Sequence, residues 1–184
     1  MSIRAEVKGG RAPRPDLESE IDALKKAQAE HRVTLVVFSG ELDRHLAALV
    51  IATGAAAMGM SVSIFYTFWG LSALKKARVF KGKTLKERMF AALTPKGLSR
   101  LPVSRMNFGG IGRGLLKKMM AERQVSSIEE LFALAREMGV RFIACTMSME
   151  VMGITTAELI DGVELGGVAT YLGDAARSKV SLFI

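Results

Sequence analysis

Cys145 is the residue whose chemistry stands out, because it is the only cysteine in a chain of 184 residues. It follows the apolar run of residues 142–144, which has the character of a β-strand, and it precedes a polar turn that opens a helix. Unpaired backbone N–H groups and the helix dipole favour an anion at such a junction, so the position suits a reachable, nucleophilic thiolate. The alternative is that a lone cysteine in a core strand is an inert apolar residue.

The residues that follow Cys145 could form a pocket for the anion. The backbone N–H groups of the turn and its two hydroxyl side chains could stabilise a thiolate or a persulfide, although the hydroxyls could equally serve only as helix caps. Three methionines in the same stretch either fill the core or wall an apolar pocket around the sulfur, and Cys and Met together would also suit Cu(I). No histidine accompanies them, so we expect no resident metal or other cofactor. The predicted pocket consists of Thr146, Met147, Ser148 and Met149, with Met152 nearby.

Residues 32–66 have the pattern of a βαβ unit. The first seven are a nearly continuous apolar run rich in β-branched side chains, as expected of a parallel strand covered on both faces. Ser39 and Gly40 make a tight turn into a helix that ends at Gly59, and a second strand follows. The turn lies at the carboxyl edge, where open parallel sheets bind ligands, so Ser39 and Gly40 are candidate pocket residues. Their alternative role is the turn alone, and His45 on the helix is expected at the surface.

The second half of the chain continues the alternation of strand and helix. A capping pattern at Ser126 and Ser127 predicts a helix, which is followed by a third strand that ends at Cys145. Residues 166–177 are predicted to be helical, and residues 180–184 to form the last strand. The alternation predicts an α/β fold with a doubly wound parallel sheet.

A basic segment, residues 75–123, interrupts this alternation. It contains fourteen Lys and Arg against two acids, whereas the remainder of the chain has 12 bases and 16 acids. Prolines and glycines break any regular pattern, so the segment is predicted to be helical only near residues 84–93 and 113–122. Residues 107–114 are predicted to be mobile, and this Gly-rich run is interpreted as a flexible lid rather than as a nucleotide site. Such basicity suggests an acidic partner protein or a membrane surface; no nucleic-acid partner is expected, because no matching motif accompanies it. The predicted docking residues are Lys75, Lys76 and Arg78.

Three further patterns bear on the cellular setting. No charged residue lies between Arg44 and Lys75, a stretch long enough to span a bilayer, but its glycines and its change from Ala-rich to β-branched character favour a helix followed by a buried strand. Residues 1–31 lack the apolar region of a signal peptide and are expected to form a loose arm with a short helix at residues 16–30. A single cysteine rules out an internal disulfide, which fits a reducing cytoplasm.

Several separated blocks of the sequence are similar to one known family. These blocks are CTMSMEVMGI at Cys145, the opening VVFSGELDR, the run IATGAAAMGM with TFWG, and the terminal ELIDGVELGGVATYL. Together they resemble the DsrE/DsrF/DsrH-like family, in the branch found near rhodanese and TusA-like sulfur carriers. The resemblance covers residues 32–184, which it marks as one DsrE-like α/β domain with an insertion at about residues 75–123.

The resemblance implies a cytoplasmic sulfurtransferase or sulfur carrier that assembles as a homo-oligomer. In that family the cysteine at this strand end carries sulfur as a persulfide, and it corresponds to Cys145. The implied partners are rhodanese-like and TusA-like sulfur-carrier proteins. Members of this branch are often labelled peroxiredoxin-like, but this sequence has no peroxidase motif and no second cysteine for a paired mechanism. The alternative function is a non-catalytic interaction subunit that docks an acidic protein or a membrane surface without spanning the membrane.

Overall fold

The computed structural model describes residues 19–21 and 31–184. Residues 19–21 are helical, and the rest of the predicted arm and of the helix predicted at residues 16–30 lies outside the described residues.

In the part of the chain that the structure describes, five parallel strands form a single sheet in the order β4-β3-β2-β1-β5. Because every pairing is parallel, the carboxyl ends of the strands meet at one edge. The chain steps from β1 to β4 in one direction and then returns across the sheet to place β5 beside β1. The strands are β1 (Arg32–Val37), β2 (Ser61–Tyr66), β3 (Arg141–Cys145), β4 (Glu164–Gly166) and β5 (Val180–Phe183).

Helices cover both faces of the sheet. Helices α1 and α4 pack on each other and on one face, and α6 crosses the opposite face between β4 and β5. This arrangement confirms the predicted doubly wound α/β fold. The helices are α1 (Leu42–Ala57), α2 (Leu85–Leu93), α3 (Ile111–Glu122), α4 (Ile128–Glu137), α5 (Thr146–Met152) and α6 (Val168–Ala175).

Successive residues of each strand point to opposite faces, and this alternation decides where Cys145 lies. In β3, Phe142 and Ala144 belong to the large apolar core beneath α1 and α4. Ile143 and Cys145 belong instead to a small cluster on the face that α6 covers. The remaining members of the small cluster are Val36 and Phe65, with Tyr171 of α6 packed against them.

Most of the predicted elements are present. The stretch without charges after Arg44 is a helix followed by a buried strand, as expected, and no helix in the described part of the chain is long and apolar enough to cross a bilayer. The two helices predicted within the basic segment correspond to α2 and α3. Ser127 caps α4 through a reciprocal pair of hydrogen bonds with Glu130. Strand β4 was not predicted, because three residues at a sheet edge carry too short a pattern.

Candidate functional site

Cys145 is the last residue of β3 and the N-cap of α5, as the sequence predicts. Its backbone is extended (φ −69°, ψ 113°), and its side chain makes no capping hydrogen bond. The thiol is not reachable, however, because Cys145 is only 1% exposed in the single chain. The expectation of an accessible sulfur is therefore wrong for this conformation of the chain.

Helix α6 supplies the cover over Cys145. The ring of Tyr171 packs against that of Phe65, with 5.6 Å between the ring centroids, and both lie in the small cluster that holds the thiol. Cys145 itself pairs with Gly166 of β4, just before the start of α6. A Cβ at Gly166 would lie 2.8 Å from the Ile143 side chain, so only glycine allows this close approach.

The other end of α6 is held by charges. Asp174, which is 4% exposed, forms ion pairs with Arg32, Arg141 and Arg177, and Arg141 also pairs with Glu164 at 2.6 Å. The carboxyl-terminal part of α6 is thus attached to the sheet by an ionic network centred on the buried Asp174. Among the described residues, the amino-terminal part, beside Cys145, is attached by apolar packing and by the short β4 strand that precedes it.

The structure separates the predicted pocket residues. Ser148 is fully buried, and its hydroxyl lies 2.7 Å from that of Thr67, so it is engaged in a structural hydrogen bond. Met149 packs into the large core on the opposite face of the sheet from Cys145, together with Met152. The predicted methionine wall and the Cys-Met copper set are therefore not assembled. Thr146 and Met147 remain next to Cys145 at the surface, with Met147 47% exposed.

Ser39 and Gly40 line a different cleft, of about 480 Å³, at the carboxyl end of β1. Its walls include Trp69, and a Cβ on Gly40 would lie 3.2 Å from the Trp69 side chain, so glycine permits their close packing. The Ser39 hydroxyl donates to Glu41 at 3.0 Å. Cys145 does not line this cleft. Since β2 lies between β1 and β3, the two strand ends are roughly 10 Å apart.

The predicted docking cations do not form a free surface. Lys75 is 2% exposed, so the docking role predicted for it is wrong. Lys76 is paired with Asp161 at 2.6 Å, and Arg78 donates to the backbone carbonyl of Thr94 at 2.7 Å. Only Lys76, whose side chain is 43% exposed, remains a candidate for contact with a partner.

Lys75 belongs to a buried ionic cluster around Glu158. The Glu158 carboxylate accepts a 2.5 Å hydrogen bond from Lys83 and bonds from the backbone N–H groups of Val79 and Thr155, and it lies 3.8 Å from the Lys75 ammonium. Burial raises the pKa of Glu158, but these hydrogen bonds and cations outweigh it and bring the pKa below its ordinary value. Burial lowers the pKa of Lys75, and the charge of Lys83 adds to this effect while Glu158 opposes it.

His45 is fully buried, so its predicted place at the surface is wrong. Its Nδ1 lies 2.8 Å from the carbonyl oxygen of Glu41, and its ring stacks on that of Tyr66, with 5.9 Å between the centroids. Its Nε2 has no hydrogen-bond partner among the described residues. Burial lowers the pKa of His45, which keeps the ring neutral.

No group of three or more His, Cys, Asp or Glu side chains among residues 19–21 and 31–184 is placed to hold a metal ion. The residues missed by sequence reasoning are Trp69, which walls the β1 cleft, and Tyr171, which covers the thiol. Trp69 lies in the TFWG block, which was recognised as similar to the family but was given no role, whereas nothing in the spacing of residues around Tyr171 indicated its contact with the small cluster on β3.

The comparisons with known proteins place this chain among sulfur-related sequences. A family model described as the DsrE/DsrF/DrsH-like family matches residues 29–183. The chain is 42% identical to the uncharacterized protein YrkE of Bacillus subtilis over 154 residues, which are 83% of this chain and 96% of the relative. It is 31% identical to the sulfur carrier protein DsrE2 of Allochromatium vinosum over 159 residues, which are 84% of this chain and 99% of the relative.

Two solved structures are also similar. The ychN protein from E. coli has a TM-score of 0.48 at 12% identity, over 83% of this chain and 98% of its own. The protein MTH1491 from Methanobacterium thermoautotrophicum has a TM-score of 0.46 at 13% identity, with the same coverage of both chains.

Proposed function

Because this chain belongs to the DsrE/DsrF/DrsH-like family, we propose that it is a cytoplasmic sulfur carrier that holds one sulfur atom as a persulfide on Cys145. A relative that is 31% identical over 84% of the chain is named a sulfur carrier protein, which supports the class of function. The observation that carries the proposal is the position of Cys145. It is the only cysteine and lies at the carboxyl edge of a parallel sheet, where β3 gives way to α5.

The transfer needs no oxidant or reductant. The Cys145 thiolate attacks the outer sulfur of a donor persulfide, the new bond forms between Cys145 Sγ and that sulfur, and the donor leaves as a thiolate. An acceptor thiolate then attacks the outer sulfur of the Cys145 persulfide and releases Cys145 as a thiolate. The chain returns to its starting state, and the sulfur has passed between two molecules.

Access to the thiol requires the amino-terminal end of α6 to move. This end is held by the packing of Tyr171, whereas the far end is tied to the sheet through Asp174. Gly166 and Gly167 precede the helix, and glycine has a wider range of backbone conformations than other residues, so the segment before α6 suits a hinge. In the proposed cycle α6 swings outward about its anchored end, and Thr146 and Met147 form the rim of the opened site.

The donor and acceptor in this proposal are rhodanese-like and TusA-like proteins, with Lys76 as a contact for them. A homo-oligomer is supported by the apolar outer surface formed by α6 and β5. Val168 and Leu172 on α6 are each 55% exposed, and Phe183 on β5 is 72% exposed. A second copy packed on this surface would remove it from water and would adjoin the cover of Cys145.

The test is the intact mass of the protein under non-reducing conditions after incubation with glutathione persulfide. The native chain is expected to gain mass in whole units of sulfur, to lose it on addition of an acceptor thiol, and to gain none as Cys145→Ala. If the folded protein gains no sulfur while the urea-unfolded protein does, the Cys145 thiol can accept sulfur but is not accessible in the native state. That result would overturn the carrier proposal.

The burial of Cys145 favours a second candidate, an interaction subunit with an inert thiol. The same measurement separates the two functions, because a docking subunit takes up no sulfur in its folded state.

A further inference from the structure

Helix α3 presents a row of large apolar side chains to solvent. None of its twelve residues is buried. Ile111, Leu115 and Met119 follow one another at four-residue spacing and therefore share one face of the helix. They are 75%, 53% and 53% exposed, and Phe108 at the start of the row is 70% exposed. With Met106, which is 68% exposed, these five side chains are called the apolar ridge below.

The backbone holds the first part of the ridge in a fixed and strained position. Met106 and Phe108 have φ values of 59° and 38°, in the left-handed region that non-glycine residues rarely adopt. A Cβ at Gly112 would lie 1.9 Å from the Met106 carbonyl oxygen, so the preceding loop is pressed against the first turn of α3. Strain of this kind costs free energy, yet both side chains stay exposed, so the chain gains no buried contact in return. An external contact would explain why these side chains are held outward.

Positive charge flanks the ridge along the chain. Arg105 precedes it and Arg123 follows α3; both are exposed, and neither side chain has a partner among the described residues. Lys118, also exposed, is paired only loosely with Glu122 at 3.9 Å. Nine of the fourteen cations of the basic segment make no ion pair with a carboxylate in the described part of the chain. These are Arg78, Lys81, Lys86, Arg88, Lys96, Arg100, Arg105, Arg113 and Arg123.

The positive charge beside the apolar ridge decides which kind of partner can cover it. A second copy of the chain packed ridge to ridge about a two-fold axis would bring the same cations against each other. An acidic protein would need an apolar groove that matches a convex helix. A lipid surface needs no such groove, because an interfacial helix requires only an outward apolar row with basic residues beside it.

We propose that the apolar ridge enters the headgroup region of an anionic membrane, with Arg105, Lys118 and Arg123 against the lipid phosphates. The chain attaches to the membrane from one side and reversibly, since the helical part of the row, Ile111 to Met119, covers only about two and a half turns. The proposal is independent of sulfur transfer, because the ridge contains none of the residues assigned to the thiol site.

The test is sedimentation of the full chain with vesicles of phosphatidylglycerol and phosphatidylcholine, compared with vesicles of phosphatidylcholine alone. Binding to the anionic vesicles is expected to be at least about tenfold tighter and to weaken as salt is raised. Leu115→Glu is expected to reduce binding about tenfold or more, since it places a negative charge in the apolar row, where it meets the anionic lipid surface. Arg105→Glu with Arg123→Glu is expected to reduce it about 25-fold, from about fivefold for each of the two cations removed.

Two matched controls show whether the ridge itself is responsible. Met58→Glu alters an apolar side chain that is 81% exposed at the end of α1, and Lys179→Glu reverses an exposed charge outside the basic segment. Both are expected to bind nearly as the native chain does, and all variants are expected to keep its circular dichroism spectrum. The same measurements on Cys145→Ala are expected to be unchanged.

Three results would overturn the proposal. One is the absence of a preference for anionic vesicles, which would leave an acidic protein as the occupant. Another is equal weakening by Leu115→Glu and Met58→Glu, which would indicate non-specific adsorption. The last is that the native chain binds no vesicles and that Leu115→Glu forms a smaller oligomer than the native chain does. That result would assign the ridge to a subunit interface.

Discussion

The hydroxyl oxygens of Thr67 and Ser148 lie 2.7 Å apart in the interior, although 81 residues separate them in the chain. The contact joins the loop after β2 to the helix that begins beside Cys145. Thr67 is 9% exposed and Ser148 is fully buried, so water offers neither hydroxyl an easy alternative partner. The pair therefore fixes α5 at the sheet edge and, through it, the junction that positions Cys145.

Removal of one member of this pair is expected to destabilise the fold. Ser148→Ala leaves the Thr67 hydroxyl buried without its partner, which costs about 1–3 kcal/mol of the free energy of unfolding. The double variant Thr67→Val with Ser148→Ala removes both polar groups and is expected to recover most of this loss. Urea unfolding measures all three proteins, with the exposed Ser181→Ala as a control. A double variant less stable than Ser148→Ala would contradict the account.

Removal of the Tyr171 ring is expected to expose the thiol. In the native chain Cys145 should react slowly with iodoacetamide, because α6 covers it. Tyr171→Ala opens the amino-terminal end of α6 and is expected to raise the rate of alkylation about tenfold or more, measured by intact mass without denaturant. Leu172→Ala, one residue away on the exposed side of the same helix, should leave the rate nearly unchanged. Equal rates for the native chain and Tyr171→Ala would show that α6 is not the gate.

The junction at Cys145 could be predicted from sequence because its signals are local. An apolar run of strand length and a polar turn lie side by side in the chain, and they fix both the end of β3 and the start of α5. The burial of the thiol could not be predicted in the same way. It depends on the return of the chain from β4 to β5, which lays α6 across the other face of the sheet.

Lys75 shows the same limit, whereas His45 does not. Lys75 lies in a run of cations, a pattern that is typical of a solvated surface. Its partner Glu158 is far along the chain, so the sequence near Lys75 does not indicate the contact, which forms only in the fold. His45 was within reach of sequence reasoning. It lies three residues after Leu42 and four before Leu49, both fully buried, so the spacing of the helix already placed it on the inner face.

Removal of the charge from either of the two buried lysines beside Glu158 is expected to change the stability of the fold, but not in the same direction. Lys83 makes the 2.5 Å bond to Glu158, so Lys83→Met leaves a buried carboxylate short of its main partner and should cost about 2–4 kcal/mol of the free energy of unfolding. Lys75 lies 3.8 Å away, and its lowered pKa shows that the site disfavours its charge. Lys75→Met should therefore be neutral or stabilising. Equal destabilisation in urea unfolding would contradict this ranking.

His45 is expected to make the fold sensitive to mild acid. Burial lowers the pKa of His45 from its ordinary value of 6.5, even though the carbonyls of Glu41 and Gly70 and the carboxylates of Asp43 and Glu41 oppose this. The neutral ring is thus favoured in the folded state. Its stabilisation is complete above pH 6.5 and is lost as the pH falls toward the lower folded-state pKa.

Replacement of His45 by phenylalanine should remove this part of the pH dependence. The Phe ring can keep the stacking on Tyr66, and the Glu41 carbonyl still accepts the backbone N–H of residue 45 at 3.1 Å. The free energy of unfolding of the native chain should fall below pH 6.5 with a slope approaching about 1.4 kcal/mol per pH unit for this one proton, and His45→Phe should lack that component. Urea unfolding from pH 7.5 to 5 measures the difference between the two proteins. A difference that stays constant over this range would show that His45 takes up its proton as easily in the folded as in the unfolded chain.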